Sequence, residues 1–242
     1  MRAILHAILL IRTIPRRVRR SYMTKDLIHV AIDGPAGAGK STIAKIIAER
    51  LNILYVDTGA MYRALTWKLL SESINLKDIP NIVNIAINTS IKLDGEKVFI
   101  DGLDVTEEIR LPKVSNHVSI IARIPEVRTR LVEIQRDIAK EQSLVMDGRD
   151  IGTYVLPSAK FKFFLTATAE ERANRRYIEL IKKGINTSLE QLQKEIKLRD
   201  KMDSERIFSP LKPADDAIII DTTSKSILSV SNEIMDRICK GE

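Results

Sequence analysis

Cysteine, aromatic residues and long apolar runs are all scarce in this sequence of 242 residues. The single cysteine, Cys239, excludes an internal disulfide and a cysteine-rich metal site, and it favours a reducing compartment. No apolar run approaches the ~20 residues that a membrane-spanning helix requires. The three histidines are scattered, and no convincing Ser-His-Asp or Cys-His constellation is present. With 44% hydrophobic and 29% charged residues, the composition is that of a soluble enzyme, which excludes collagen-like, mucin-like and disordered chains.

The positive charge is unevenly distributed along the chain. The formal net charge is +7, but residues 1–22 contain six arginines and no lysine or acidic residue. Subtracting these six from the 39 basic residues leaves 33 against 32 acidic ones, so the remaining 220 residues carry only +1. Such a leader is either an organelle transit peptide or an upstream extension caused by start-site choice, since Met23 opens a sensible beginning. We expect a single domain over residues 23–242, a cytoplasmic location and no nucleic-acid or membrane partner.

Five short apolar runs in the body are typical of buried parallel strands. They lie at residues 28–32, 53–56, 143–146, 161–165 and 217–220. Each run is followed by a plausible helix, which predicts an α/β fold with a five-stranded parallel sheet and helices on both faces. Residues 75–121 break this rhythm with two alternating runs around Asp94 and Gly95, a hairpin signal that indicates an inserted lobe. Residues 170–206 are densely charged and are predicted to be helical.

A phosphate-binding loop follows the first predicted strand. Residues 34–41 fit the pattern G-x-x-x-x-G-K-[ST], and they lie between a strand and a helix, which is the context that confirms such a motif. Inward-facing backbone N–H groups and the helix N-terminus bind phosphate oxygens, while Lys40 reaches the β- and γ-phosphates. Ser41 and Asp147 are the predicted Mg²⁺ ligands. The predicted ATP-binding residues are Gly34, Pro35, Ala36, Gly37, Ala38, Gly39, Lys40, Ser41 and Thr42.

Charged and hydroxyl side chains after the second and third strands indicate an acceptor site. Thr58 is placed to cap the next helix and shares a helical face with Tyr62, with Arg63 beside them. Arg149 and Asp150 close the third strand, so they are delivered to the carboxyl edge of the sheet, where ligands bind in α/β proteins. The sequence therefore predicts a second anion site next to the P-loop.

Arginines on two later helical stretches have the spacing of a single helix face. Arg199, Asp203 and Arg206 are four and three residues apart, so an aspartate would lie between two guanidinium groups. This spacing fits an anion-binding or ribose-binding face and equally fits a solvated salt bridge. A second set with the same ambiguity consists of Arg172, Arg175 and Arg176.

Together these motifs resemble those of the bacterial-type cytidylate kinases, within the nucleoside monophosphate kinases. The resemblance runs from about residue 28 to residue 238 and rests on the segments 32–41, 57–63, 147–153 and 199–206. It implies a P-loop kinase fold with a monophosphate-binding lobe and a mobile helical lid near residues 170–184. The implied activity is Mg²⁺-dependent transfer of the ATP γ-phosphoryl group to CMP or dCMP, by a monomer.

The resemblance also assigns residues to roles. Ser119, Arg128 and Asp150 resemble those that read cytosine, since a carboxylate can accept a hydrogen bond from the N4 amine. The predicted CMP-binding residues are Thr58, Tyr62, Arg63, Ser119, Arg128, Arg149, Asp150, Arg199 and Asp203. The predicted catalytic residues are Lys40, Arg149, Arg199 and Arg206.

Two alternatives stay open at this point. Another small-molecule P-loop kinase, of the shikimate or gluconate type, would need a neutral hydroxyl acceptor and a base, and the insert and the Arg-Asp-Arg cluster argue against it. A P-loop switch protein that binds nucleic acid through its basic leader belongs to a different class. The sequence shows no guanine-reading Asn-Lys-x-Asp motif, which disfavours a GTPase.

Overall fold

The computed structural model describes residues 27–241. The predicted basic leader at residues 1–22 and the alternative start at Met23 lie outside the described residues. Among the described helices, none is long and apolar enough to cross a membrane.

The core of the molecule is a five-stranded parallel sheet, as predicted. Its strands are β1 (His29–Asp33), β2 (Leu54–Asp57), β6 (Leu144–Gly148), β7 (Phe161–Thr166) and β8 (Ile218–Asp221), in the spatial order β2-β6-β1-β7-β8. Helices cover both faces, so the strands need continuous apolar runs, and all five residues of β6 are buried. The register pairs Asp147 at the end of β6 with Asp57 at the end of β2 and with Ile32 on β1. The polar residues that end these strands therefore meet at one edge.

Eight α-helices are present in the described part of the chain. They are α1 (Lys40–Leu51), α2 (Thr58–Ser71), α3 (Ile79–Asn88), α4 (Pro112–Ile121), α5 (Pro125–Glu141), α6 (Ala169–Lys182), α7 (Leu189–Ser204) and α8 (Ile227–Lys240). Helices α1 and α8 pack on one face of the sheet, against Val30 and Ile32 of β1. Helix α5 packs on the other face, in the cluster that contains Ala31. The alternation of side chains along β1 thus divides the core into two layers.

The connection from β6 to β7 differs from the sequence expectation. A crossover helix was predicted after every strand, but the only helical segment here is a five-residue π-helical turn, Ile151–Val155. The carboxylate of Asp33 accepts hydrogen bonds from the backbone N–H groups of Ile151, at 2.8 Å, and Gly152, at 2.7 Å. These bonds fix the start of the turn to β1. Glycine and β-branched residues in this segment also disfavour a longer α-helix.

The predicted antiparallel hairpin is confirmed between the second and third strands of the parallel sheet. Strands β3 (Ile91–Asp94) and β4 (Lys97–Ile100) pair in antiparallel register, with Gly95 in the turn at φ 60°. A third strand, β5 (Leu103–Asp104), pairs with β4 and was not predicted, because two residues are too short to show a periodic pattern. A short 3₁₀ turn (Glu108–Arg110) leads from this small sheet to α4.

The charged region after β7 folds into two packed helices, α6 and α7. Their contact is a small apolar cluster of Ala173, Leu180, Leu192 and Ile196. Helix α7 ends at Ser204, so Arg206 lies beyond it and not on a continuing helix face as the spacing predicted. The chain after α7 still returns Arg206 to the same site, as shown below.

Candidate active site

A cleft of about 1180 Å³ opens at the carboxyl edge of the parallel sheet. It is lined by the P-loop, the first turns of α2, part of α4, the segment after β6 and one side of α7. Every residue that the sequence assigned to a site lines this cleft except Gly34 and Pro35, which lie at the base of the loop. Residues from six separate stretches of chain are therefore brought together, four of them from the quoted motifs and two, at Ser119 and Arg128, from outside those motifs.

The P-loop backbone has conformations that only glycine adopts easily. Gly34 has φ 143°, and a Cβ there would lie 2.0 Å from the carbonyl oxygen of Leu165 on β7. Gly39 has φ 88° and precedes the first residue of α1, Lys40. The loop therefore turns directly from β1 into a helix whose N-terminal N–H groups face the cleft, an arrangement that favours anions.

Lys40 is a buried cation in this loop. Its side chain is 5% exposed, and Nζ donates a hydrogen bond to the carbonyl oxygen of Pro35 at 2.8 Å. Burial and, next, the positive charge of Arg149 lower the pKa of Lys40 to about 7. A negatively charged ligand would stabilise the protonated form of Lys40, because its charge offsets both the desolvation of the ammonium group and the repulsion from Arg149.

Asp147 lies between two hydroxyl groups. Ser41 Oγ donates to Asp147 Oδ2 at 3.0 Å, and the phenol of Tyr55 donates to Oδ1 at 2.8 Å. Burial and the nearby charge of Asp57 raise the pKa of Asp147 to about 6. Burial and the negative charges of Asp147 and Asp57 raise the pKa of Tyr55 well above its usual range, so this phenol stays a donor.

The pair formed by Ser41 and Asp147 fits a magnesium ion. Both offer oxygen atoms, the donors that Mg²⁺ prefers, and they lie beside the phosphate-binding loop. Within residues 27–241 there is no group of three or more His, Cys, Asp or Glu side chains that could hold a metal ion alone.

The start of α2 carries the next predicted residues, with one correction. Thr58 does not cap the helix: Asp57 is the N-cap, and its carboxylate accepts from the N–H of Ala60 at 2.8 Å. Thr58 is instead the first helical residue, and its hydroxyl donates to the carbonyl of Asp147 at 2.7 Å. Asp57 also pairs with Arg63 at 2.9 Å. Asp57 and Thr58 are both good N-cap residues. Asp57 takes the position because its carboxylate can accept from the helix N–H and pair with Arg63 at the same time.

Further along the cleft, arginines and aspartates form a buried polar layer. Arg128, which is 1% exposed, pairs with Asp150, and Arg206 lies 3.5 Å from the other oxygen of that carboxylate. Asp203 accepts from Arg149 Nε at 3.0 Å and from Ser119 Oγ at 3.2 Å. The layer is thus held by α4, α5, α7 and the segment after β6. Sequence spacing alone left Arg206 open between a site and a surface salt bridge, and its burial excludes the surface interpretation.

Several residues that line the cleft carry a buried polar atom without a protein partner. In the described part of the chain, Tyr62 Oη, Arg128 Nε and Arg199 Nε are buried and have no hydrogen-bond partner. Buried polar groups in folded proteins are nearly always paired, so a cluster of unpaired atoms indicates a ligand. Burial raises the pKa of Tyr62 to about 12, which keeps its phenol protonated. Burial and the charge of Arg149 lower the pKa of Arg199 to about 10.

Asp203 is the counter-charge for these cations. Burial acts to raise its pKa, but the charges of Arg149 and Arg199 outweigh burial and hold the pKa below its usual value. The carboxylate therefore stays ionised and orients Arg149 while Arg199 keeps an unpaired nitrogen for a ligand.

The arginines of α6 separate into two kinds that sequence spacing did not distinguish. Arg172 donates to the P-loop carbonyl of Ala36 at 3.0 Å and forms a two-bond pair with Asp200 of α7, at 3.0 and 2.5 Å. Arg175 donates to the carbonyl of Thr222 at 2.6 Å. Arg176, in contrast, pairs with Glu179 of its own helix. The base of α6 is therefore bonded to the P-loop region.

Sequence reasoning missed three residues at this site. Tyr55, Asp33 and Asp57 were not assigned, although each bonds directly to a predicted site residue or its segment. Asp57 lies in the quoted 57–63 segment and is an acidic residue next to a predicted helix start, a signal that could have found it. Asp33 lies in the quoted 32–41 segment, but its partners are more than 100 residues away, and Tyr55 carries no local pattern of its own.

The chain matches known proteins over almost all of the described residues. The family model for cytidylate kinase matches residues 30–240. A cytidylate kinase from Desulforamulus reducens is 57% identical over 216 residues, which cover 88% of this chain and 97% of that protein. Those from Alkaliphilus oremlandii and Caldanaerobacter subterraneus are 54% and 55% identical, over 87% and 88% of this chain and 97% and 95% of theirs. The solved structure of a shikimate kinase from Acinetobacter baumannii aligns with a TM-score of 0.43 and 14% identity, over 92% of this chain and 98% of that one. The family model and the curated relatives agree, and the chain belongs to the cytidylate kinase family.

Proposed function

We propose that this protein transfers the γ-phosphoryl group of ATP to CMP or dCMP, giving CDP or dCDP, with Mg²⁺. The observation that carries the proposal is that a P-loop and a buried layer of paired arginines and aspartates line one cleft. Membership of the cytidylate kinase family supports the same reaction.

The donor end is formed by the P-loop. Its backbone N–H groups and the N-terminus of α1 bind the β- and γ-phosphates, and Lys40 neutralises their charge. Ser41 and Asp147 would hold Mg²⁺. When bound, this ion would neutralise negative charge that develops on the phosphates. Helix α6 is the proposed lid. Arg172, in its first turn, donates a hydrogen bond to the P-loop, and closure of the helix over the cleft would exclude water.

The acceptor end is formed by the buried layer. The carboxylate of Asp150 accepts from the N4 amine of cytosine, while Arg128 and Ser119 complete the reading of the base. Uracil has a carbonyl in place of that amine, so two hydrogen-bond acceptors would face each other without a donor between them. Asp203 and Arg199 contact the ribose and phosphate, and Thr58, Tyr62 and Arg63 hold the monophosphate side.

The chemical step needs little beyond alignment and charge. The phosphate of CMP is already ionised, so no strong general base is required, unlike for a neutral hydroxyl acceptor. Lys40, Arg149, Arg199 and Arg206 bring the two polyanions together against their repulsion and stabilise the charge of the transferring group. Preorganised ion pairs hold Arg149 and Arg206, so little reorganisation is needed at the moment of transfer.

A coupled ADP-release assay with CMP, dCMP, UMP, AMP and GMP tests the proposal. We expect turnover of CMP and dCMP and slower turnover of UMP. A clear preference for AMP or GMP, or no turnover with CMP, would overturn it. The panel is run on the full chain and on a variant that begins at Met23, since equal activities would show that residues 1–22 take no part in catalysis.

The monomeric state and the cytoplasmic location stay predictions. Light scattering of the purified protein should give a mass near 27.4 kDa, and twice that mass would contradict a monomer.

A further inference from the structure

The carboxylate of Asp147 has a second hydroxyl partner that the kinase motifs do not include. Ser41 occupies one oxygen, on the P-loop side, and Tyr55 donates to the other at 2.8 Å from β2. Strand β2 is at the edge of the sheet and pairs with β6, the strand that carries Asp147. The contact therefore joins two neighbouring strands at the end of the sheet where the cleft opens.

Tyr55 is itself held in a fixed position. Its half-buried ring packs against the apolar cluster beneath α1, and the ammonium of Lys45 lies 5.8 Å from the ring centre. A phenol has one hydrogen to donate, and the ring sets its direction. Tyr55 can therefore fix the plane of the Asp147 carboxylate, and it leaves Oδ2 on the side of Ser41.

The electrostatic surroundings of Asp147 favour a hydrogen-bond donor at this position. Asp147 is 3% exposed, and its nearest acidic neighbour along the register is Asp57, whose charge repels it. The hydrogen bond from Tyr55 acts against that repulsion by stabilising the ionised carboxylate. Groups behind a metal ligand commonly set its orientation, and their removal typically lowers metal affinity or activity about 10-fold to 100-fold.

We propose that Tyr55 is a positioning residue that holds Asp147 in the orientation required for the magnesium of the bound nucleotide. The inference rests on the proposed function only in that the protein binds a magnesium–nucleotide complex. It does not depend on which monophosphate accepts the phosphoryl group.

The test compares Tyr55→Phe with the unchanged protein by calorimetric titration with ADP, in excess Mg²⁺ and in EDTA. We expect equal ADP affinity in EDTA, and a gain in affinity on adding Mg²⁺ that is about 10-fold smaller in the variant. Tyr154→Phe is the matched control, since it removes a phenol whose ring packs on Phe208, and it should keep the full gain. Because CMP is absent, the outcome is separate from failure of the proposed reaction.

A cycle with Asp147→Asn shows whether Tyr55 acts through Asp147. If it does, Tyr55→Phe should reduce the gain in ADP affinity on adding Mg²⁺ when Asp147 is present. In the Asp147→Asn background, the same substitution should leave that gain unchanged. Equal magnesium gains in Tyr55→Phe and the unchanged protein, or the same loss in both backgrounds, would overturn the proposal. Thermal unfolding in EDTA is recorded for each variant, and a Tyr55→Phe protein that does not fold would assign Tyr55 a purely structural role.

Discussion

The carboxyl group of Asp33 offers a direct thermodynamic test of the site's construction. It lies at the end of β1, is 4% exposed, and accepts hydrogen bonds from the N–H groups of Ile151 and Gly152. These bonds hold the segment that carries Arg149 and Asp150. Burial raises the pKa of Asp33 from 3.8 to about 7, against the opposing effect of the two N–H groups.

The raised pKa makes stability fall as the pH increases. Between pH 3.8 and about 7 the unfolded chain has lost the Asp33 proton while the folded protein keeps it. The stabilisation is therefore complete below pH 3.8 and is lost as the pH rises to about 7. A difference of about 3 between the two pKa values, at about 1.4 kcal/mol for each, amounts to about 4 kcal/mol of unfolding free energy.

Urea unfolding of the unchanged protein and of Asp33→Asn between pH 4 and pH 8 measures this effect. Asparagine does not ionise, so the difference in unfolding free energy between the two proteins should change by about 4 kcal/mol across the range, in favour of the variant at higher pH. Asp137→Asn removes an exposed carboxylate of α5 and serves as the control for loss of one negative charge. A difference that is constant from pH 4 to pH 8 would refute the reasoning.

Three further substitutions test the donor and acceptor ends. Lys40→Ala should lower kcat by about 10²–10³-fold in the coupled assay, as for loss of one charge-stabilising donor, without lowering the thermal midpoint; near-normal turnover would contradict the P-loop assignment. Arg128→Met leaves Asp150 with only the more distant Arg206 and should cost about 3 kcal/mol in urea unfolding, so a cost below about 1 kcal/mol would contradict the pairing. Asp150→Asn should reduce the kcat/KM preference for CMP over UMP about 10-fold to 100-fold, the worth of a hydrogen bond to a charged group. An unchanged preference would show that another residue reads the base.

Features with local causes could be predicted from the sequence. The five strands were found because short apolar runs between turns reflect burial on both faces. The P-loop was found because its glycines are required by backbone geometry, as the close approach of Gly34 to Leu165 shows. The cleft then followed from the rule that the carboxyl ends of parallel strands meet at one edge.

Features that depend on distant partners could not be predicted. The Tyr55–Asp147 bond spans 92 positions of sequence and the Asp33–Ile151 bond spans 118, so no window of sequence contains both partners. Competition between neighbours explains the cap of α2. Asp57 and Thr58 are both good N-caps, and they are distinguished by distant contacts: Asp57 pairs with Arg63, and the Thr58 hydroxyl donates to the carbonyl of Asp147.

The net charge of +7 is a poor guide to how this site uses charge. Outside residues 1–22 the chain carries only +1, yet Lys40, Arg149 and Arg199 lie close enough that each arginine lowers the pKa of Lys40 and Arg149 lowers that of Arg199. The repulsion among these cations destabilises the folded protein, and the carboxylate of Asp203 offsets part of it as a shared counter-charge. Phosphate groups are the ligands whose charge relieves that cost. Binding and catalysis therefore draw on a concentration of positive charge that the balanced composition of the domain conceals, and nucleotide affinity should fall as salt screens it.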